Sequence, residues 1–495
     1  MSHPTPSASS HLHRGLTLVP AAAIVIAIVI GTGVFVKARV MTCNVGSPGL
    51  VLAAYGLAGL LTLFGALAYA ELATMMPRAG GAYNYLGSAF GRRTAFLYGW
   101  METFIGNGAG LAAIAILFVV FLNDLLGGTL TPWAIRLLPL GVLGAVIALN
   151  LVSVRASGHV STALTAVKVA LVLGIGAGAF LLGDGSWAHF GQTGGASACA
   201  DVPASARFGV AGFGAAMIGA LWSYNGWQYM VGVAGEVRRP SWTLPRALVG
   251  ATVLILVLYV LANAAYFYVL PPEAVAGVPP ASSVAREVAV RLFGAGVASV
   301  MAAGLVLSSV GTLYASVLTA SRVPFAMAQD RLLPAPLAEV SPSAHIPRNA
   351  VIVTGALGVV FAASGTFEIL SDLFVFATLL FQGLTVAAVF ALRRARPDAE
   401  RPYRTWGYPV VPALYLLAVG LLLVNTLVAT PGRALAGLGL VALGLPVYAY
   451  YARRLPPDDP EAWLGEAPAA RAEAPARAAP SASIASVSTG PAPLA

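Results

Sequence analysis

Two short stretches of this chain interrupt apolar runs with residues that expose backbone. The first is AIVIGTGVFVK (Ala27 to Lys37), where Gly31 and Gly33 flank Thr32; the second is LWSYNGWQYM (Leu221 to Met230), which carries Ser223, Asn225 and Gly226. Residues two apart on a helix point about 200° away from each other, so one packed neighbour explains only one of the two glycines in the first stretch. Each glycine costs roughly 1 kcal/mol in a helix interior. Local unwinding is the better reading, and it has a chemical use. Amide N–H groups freed at the start of the following half-helix suit a carboxylate, whereas freed carbonyls suit an ammonium group or a cation. Together they recognise a zwitterion such as a free α-amino acid and leave the side-chain pocket free to vary.

Two charged residues lie deep in other apolar runs. Lys168 is about nine residues, or about 14 Å, into its run from the nearer basic loop. Its stem is too short to snorkel to that interface. A charge at mid-bilayer costs about 2.5 to 3.5 kcal/mol on insertion scales, so an inward partner is expected. Glu102 has the same depth in another run, and an internal ion pair with Lys168 is one reading of it.

The elements that must hold these groups are membrane spans. The chain has 495 residues, 58% hydrophobic and 9% charged, with a mean hydropathy of +0.82, outside the range of soluble domains. Twelve charge-poor stretches long enough to cross a ~30 Å hydrocarbon core run near 16–38, 49–75, 94–122, 132–152, 159–183, 208–235, 244–270, 290–320, 349–364, 367–391, 408–428 and 433–452. Arginines such as Arg78, Arg92, Arg155, Arg239, Arg331, Arg393 and Arg453 fall on one side of this twelve-helix scheme, which marks that side and both termini as cytoplasmic. Gly31 follows Leu16 by fifteen residues and Ser223 follows Phe208 by fifteen. That correspondence predicts an all-α integral membrane protein with a five-plus-five inverted repeat and discontinuous helices 1 and 6, an arrangement that resembles the LeuT-like fold. Repeat one covers 15–183 and repeat two 208–391, with helices 11 and 12 at 408–452 outside them. Residues 1–14 and 456–495 are expected as cytoplasmic tails, the second Pro, Ala and Ser rich and disordered.

Several function classes are excluded by the same residues. The net charge of +9 is spread over alternate loops, so nucleic acid is not an expected partner. The first span is too long for a signal-peptide core and no small-residue cleavage site follows it. The six histidines fall in tails, loops or span ends, which leaves no intramembrane metal cluster, and there is no nucleotide-binding P-loop. No metal or cofactor is expected. Cys43 and Cys199 fall in the first and third outer loops, where a disulfide is permitted.

Five ordered motifs carry a resemblance. IGTGVF in the first span, GALAYAELATMMPRAGGAYNYL after the second, YNGWQYMVGVAGEVRRPSWTLPRAL in the sixth, VLSSVGTLYASVLTASRVPFAMAQDRLLP in the eighth and RPYRTWGYPVVP before the eleventh resemble the amino acid-polyamine-organocation transporter superfamily. The similarity is greatest to bacterial members related to the L-type amino acid transporter light chains. It implies that backbone around Gly31, Thr32 and Gly33 binds substrate carboxylate, that the carbonyls of Val29, Trp222 and Asn225 receive the α-ammonium, and that Trp222 forms an aromatic lid. Lys168 would stand where sodium-coupled relatives place a cation, facing Ser308 and Ser309. Glu102, Thr103 and Asn107 match pocket residues of arginine-transporting relatives. Ser316 departs from the tryptophan of those arginine carriers, which weakens a cationic substrate.

The resulting expectation is a sodium-independent exchanger or facilitator of neutral L-amino acids working by alternating access in the bacterial inner membrane. A proton symporter, a carrier of cationic amino acids or polyamines, and an amino-acid-sensing receptor are the alternatives. Eukaryotic relatives join a glycoprotein through a cysteine between spans 3 and 4. Here that loop reads NDLLGGTLTP, so no disulfide-linked heavy subunit is expected.

Overall fold

The structure, a computed structural model, describes residues 15–31, 33–152, 154–194, 199–279, 282–341, 346–364, 367–429, 431–458 and 463. The described residues are helical apart from loops and one isolated parallel bridge, Leu16 with Val237. The chain opens with α1 (Leu18–Val29), α2 (Gly33–Val45), α3 (Pro48–Met75) and the short α4 (Ala82–Phe90). Next, α5 (Arg92–Met101) passes through a π-helical turn at Glu102–Gly106 into α6 (Asn107–Leu125). Then come α7 (Pro132–Val152), α8 (Val154–Leu182), α9 (Gly209–Tyr224), the single turn α10 (Tyr229–Gly232), α11 (Pro240–Val269) and α12 (Pro272–Ala276). The remainder is α13 (Val284–Ala320), α14 (Arg322–Gln329), α15 (Arg348–Ser364), α16 (Phe367–Ala395), α17 (Val410–Ala429), α18 (Pro431–Ala442) and α19 (Gly444–Ala452).

Ten helical stretches among the described residues are long and apolar enough to cross a membrane, and α9 and α15 are apolar but shorter. Burial separates inner from outer helices. The window of α5 and α6 is 72% buried, whereas those of α7 and of Ala434–Ala452 are each 22% buried, so the latter present apolar side chains to the surroundings. The inner group packs α1 against α8, α11 and α13, α2 against α9, and α3 against α11.

One end of the bundle is held by polar contacts around the chain's first described residues. The Glu236 carbonyl accepts from the Gly15 and Leu16 amides, each at 3.0 Å, and Arg238 N–H donates to Leu16 O at 2.8 Å. The Glu236 carboxylate in turn accepts from Arg322 Nε at 2.9 Å. Glu71, buried at the end of α3, accepts both fork nitrogens of Arg393 at 2.9 and 2.7 Å and the Thr405 amide at 2.7 Å. Tyr83 of α4 donates to Asp330 at 2.8 Å. Burial pushes the Asp330 carboxyl above the usual carboxylate range, against the lowering effect of that hydrogen bond. Most of the expected tail from Pro456 lies outside the described residues. Of those described, Asp458 accepts from the Arg92 amide, and the Trp463 ring packs edge-on against Tyr83 at 5.4 Å.

The opposite end is clamped covalently. Cys43 at the end of α2 and Cys199 in the loop before α9 form a disulfide with Cα atoms 5.6 Å apart. Beside it Arg39 makes a two-pronged contact with Asp201 at 2.8 and 2.9 Å, which holds the Asp201 carboxyl below its usual range. Asn44 Nδ2 donates to Ala206 O at 2.6 Å, and the Asn44 carbonyl accepts the Phe208 amide at 2.6 Å. Since the chain holds two cysteines, the expected outcome is simple. Denatured, unreduced protein should take up no maleimide mass tag and reduced protein two; two tags before reduction would contradict the bridge.

Candidate functional site

The first break begins where Ile30 leaves helical geometry (φ −73°, ψ 72°), and helix resumes at Gly33. The second begins where Asn225 becomes extended (φ −66°, ψ 147°) after α9. The two breaks touch, and that contact explains two of the glycines. A Cβ at Gly33 would lie 2.7 Å from both Ser223 Cα and Ser223 Oγ, and one at Gly226 would run into Ile28. Gly226 also has φ +117°, a conformation open to glycine and strained for other residues. Gly31 is different, because its nearest neighbour, Thr312, would lie at 3.4 Å, an ordinary contact. Thr32 lies outside the described residues.

The carbonyls freed at the end of α1 are taken by side chains. Lys168 Nζ, fully buried on α8, donates to Ala27 O and to Thr312 Oγ1, both at 2.6 Å. Thr312 Oγ1 lies 3.0 Å from the Ser308 carbonyl, to which its own proton can go. From the other side, Tyr259 of α11 reaches Val29 O at 2.6 Å and Ser223 O at 3.0 Å. One hydroxyl therefore spans both breaks. The Gly31 amide folds back onto Val29 O at 2.7 Å.

These contacts correct four sequence expectations. The helix hydroxyl facing Lys168 is Thr312, one turn beyond Ser308; Ser309 instead bonds back to Leu305 O at 2.9 Å, and Ser308 Oγ is buried without a partner among the described residues. Lys168 and Glu102 form no ion pair. Val29 O, with Tyr259 and Gly31 on it, has both lone pairs engaged and is not an open ammonium acceptor. Finally, the Gly31 amide is engaged with Val29 O, and the N–H groups that a helix start leaves without intrahelical partners are those of the first turn of α2, beginning at Gly33.

A cavity of about 50 Å³, counted as space open to water centres, lies between the breaks; it has room for about three waters. Of the expected residues, Val29, Gly31, Gly33, Trp222, Ser223, Asn225 and Gly226 line it, joined by Asn107 and Ser316. Glu102 and Thr103 do not. Glu102 stands behind Tyr229, whose hydroxyl lies 3.5 Å from its Oε2. The intervening π-turn inserts an extra residue and so alters which side chains face inward. Trp222 closes one wall and packs edge-on against Phe374 at 5.5 Å. Thr312 and Phe374 line the cavity without having been singled out by sequence, and so does Tyr229, which the sequence leaves open between helix packing and a role near the site. Their types, hydroxyl and aromatic, are also what helix packing uses, so only the fold distinguishes them. Tyr224 and Trp227 are packing residues, against Tyr259 and Tyr69. Among the described residues no Asp, Glu, Lys or Arg lines the cavity, and no cluster of three metal-ligating side chains occurs.

Comparison with known proteins adds independent information. The family model for amino acid permeases matches residues 16–443. The serine/threonine exchanger SteT of Bacillus subtilis is 28% identical over 88% of this chain and 96% of its own length. The human cystine/glutamate transporter is 29% identical over 88% of this chain and 85% of its own. The human large neutral amino acids transporter small subunit 2 is 30% identical over 88% and 80%.

The contrast between the two motif glycines is directly measurable. Gly33→Ala should lower the melting temperature of purified protein by about 1 to 3 °C, as overpacking against backbone costs about 1 to 3 kcal/mol. Gly31→Ala should shift it much less. Equal shifts would contradict the close approach at Gly33.

Proposed function

The chain belongs to the amino acid permease family of the amino acid-polyamine-organocation superfamily, and on that premise we propose that it is a secondary carrier of neutral L-amino acids. It works by alternating access as a sodium-independent exchanger or facilitator. The observation that carries this reading is the cavity between the two breaks, with unpaired amides on one side and an open carbonyl on the other. The first-turn amides of α2 take the substrate carboxylate. No backbone amide among the described residues donates to the Asn225 carbonyl, and with Trp222 O it receives the ammonium. The side chain points toward Asn107, Ser316 and Phe374, and Trp222 covers the cavity.

The twelve-helix arrangement counts α1–α2, α5–α6, α9–α10 and α18–α19 each as one span, with α3, α7, α8, α11, α13, α15, α16 and α17. The first five and the next five spans form the inverted repeat. The ten long apolar stretches and the two shorter ones support that count, and the breaks in the first and sixth spans support the pairing. Lys168 supports sodium independence, because its amine occupies the space between the α1 carbonyl and the α13 hydroxyl where a cation would need oxygen ligands. Among the described residues no carboxylate lines the cavity, which disfavours cationic substrates. Exchange is the transport mode named for SteT. The arginine-rich loops orient both termini to the cytoplasm of a bacterial inner membrane. Pairing of Cys43 with Cys199 supports the absence of a disulfide-linked subunit.

Proteoliposomes test this reading. Labelled neutral amino acids should enter vesicles preloaded with neutral amino acid faster than empty ones, while arginine and polyamines enter at background rates. Preferred uptake of arginine, or no uptake of any amino acid by folded protein, would contradict it.

A further inference from the structure

The second break contains a relay of two carboxamides whose direction is set by the backbone. The Gly226 amide points at the Gln228 side chain, 3.1 Å from its Oε1. A backbone N–H can only donate, so the Gln228 atom facing it is the carbonyl oxygen. The other end of that side chain is then the NH₂ group, and it donates to Asn225 Oδ1 at 3.0 Å. Asn225 in turn has its oxygen committed. Its NH₂ group has no protein partner among the described residues, on a residue that lines the cavity. Gln228 is 4% exposed and has no contact with the cavity itself.

We propose, on the reading that this cavity holds the substrate, that Gln228 determines specificity by fixing Asn225 to present a hydrogen-bond donor. The favoured substrates are neutral amino acids with an acceptor on a short side chain, such as a hydroxyl, ether or carbonyl oxygen. Two further observations fit. The Asn107 carboxamide nitrogen, on another wall of the same cavity, is buried with no partner among the described residues and awaits a polar ligand atom. The smaller space behind Asn225, bordered by Tyr224 and Gln382, has about 10 Å³ open to water centres. One water fits there and a side chain does not, so the substrate meets Asn225 from the main cavity. A cationic side chain would face this donor with no carboxylate to offset it.

Two isosteric compounds isolate the effect. O-methyl-L-serine and L-norvaline differ only by an ether oxygen in place of a methylene, and neither has a side-chain donor. In competition against uptake of a labelled neutral amino acid by full-length protein in proteoliposomes, O-methylserine should be about three- to tenfold more potent, the worth of one neutral hydrogen bond. Gln228→Leu removes the relay and should bring the ratio to within about twofold of one. Asn225→Asp replaces the donor by an acceptor and should reverse the preference. Equal potency of the two compounds on the unmodified protein overturns the proposal without needing any variant. Gln228→Leu weakening both compounds equally, with the ratio kept, would give Gln228 a purely structural role and also overturns it. Competition by amino acids with no discrimination leaves the carrier reading standing, whereas no competition by any amino acid removes that reading as well.

Discussion

Backbone groups freed at membrane depth must find partners inside the protein, and the arrangement around α1 follows from this constraint. The last turn of α1 exposes the carbonyls of Ala27 and Val29 at the partially negative end of a helix. An amine from α8 takes one and a phenol from α11 takes the other. Lys168 also donates to Thr312, and the Tyr259 hydroxyl, whose single proton faces Val29 O, stands 3.0 Å from the Ser223 carbonyl. An unpaired buried acceptor costs about 1 to 3 kcal/mol, so four elements, α8, α9, α11 and α13, are committed to the geometry of one break. A soluble protein would leave such groups to water.

The ends of the bundle show how a broken helix becomes useful. α2 is tied to the segment leading into α9 by the disulfide, the Arg39–Asp201 contact and the Asn44 hydrogen bonds, and Gly33 rests on Ser223. At the other end, the residues before α1 pair with Glu236 and Arg238, just beyond α10. Each half of the first broken helix is thus joined to the matching half of the second, and the cavity lies where the two joined pairs meet. Movement of one pair relative to the other would open one end without unpairing the other.

Much of this was legible in the sequence because some residue types are costly in a membrane. Two glycines in AIVIGTGVFVK, a polar cluster in LWSYNGWQYM and a lysine in an apolar run each demand a reason, and each turned out to lie at or beside the breaks. What stayed hidden was orientation around the helix axis. Lys168 and Glu102 share a depth but face different neighbours, since depth follows from residue count and facing depends on packing and on the π-turn after Glu102. Ser308 and Thr312 lie four residues apart and so share a helix face; only the register of α13 against α8 makes Thr312 the partner. Tyr259 was invisible for another reason. In an apolar span a tyrosine reads as a packing aromatic, and its hydroxyl gains meaning only once Val29 and Ser223 stand beside it. The two glycines also looked equivalent, although only at Gly33 would a Cβ clash, 2.7 Å from Ser223 Cα.

In the proposed carrier, side-chain donors, Lys168 above all, occupy the place of a coupling cation. The initial rate of amino acid uptake by wild-type proteoliposomes, with external sodium replaced by choline at constant ionic strength, tests this. The account requires equal rates in the two media, because Ala27 O and Thr312 Oγ1 are already held by an amine. A strict requirement for sodium would contradict it.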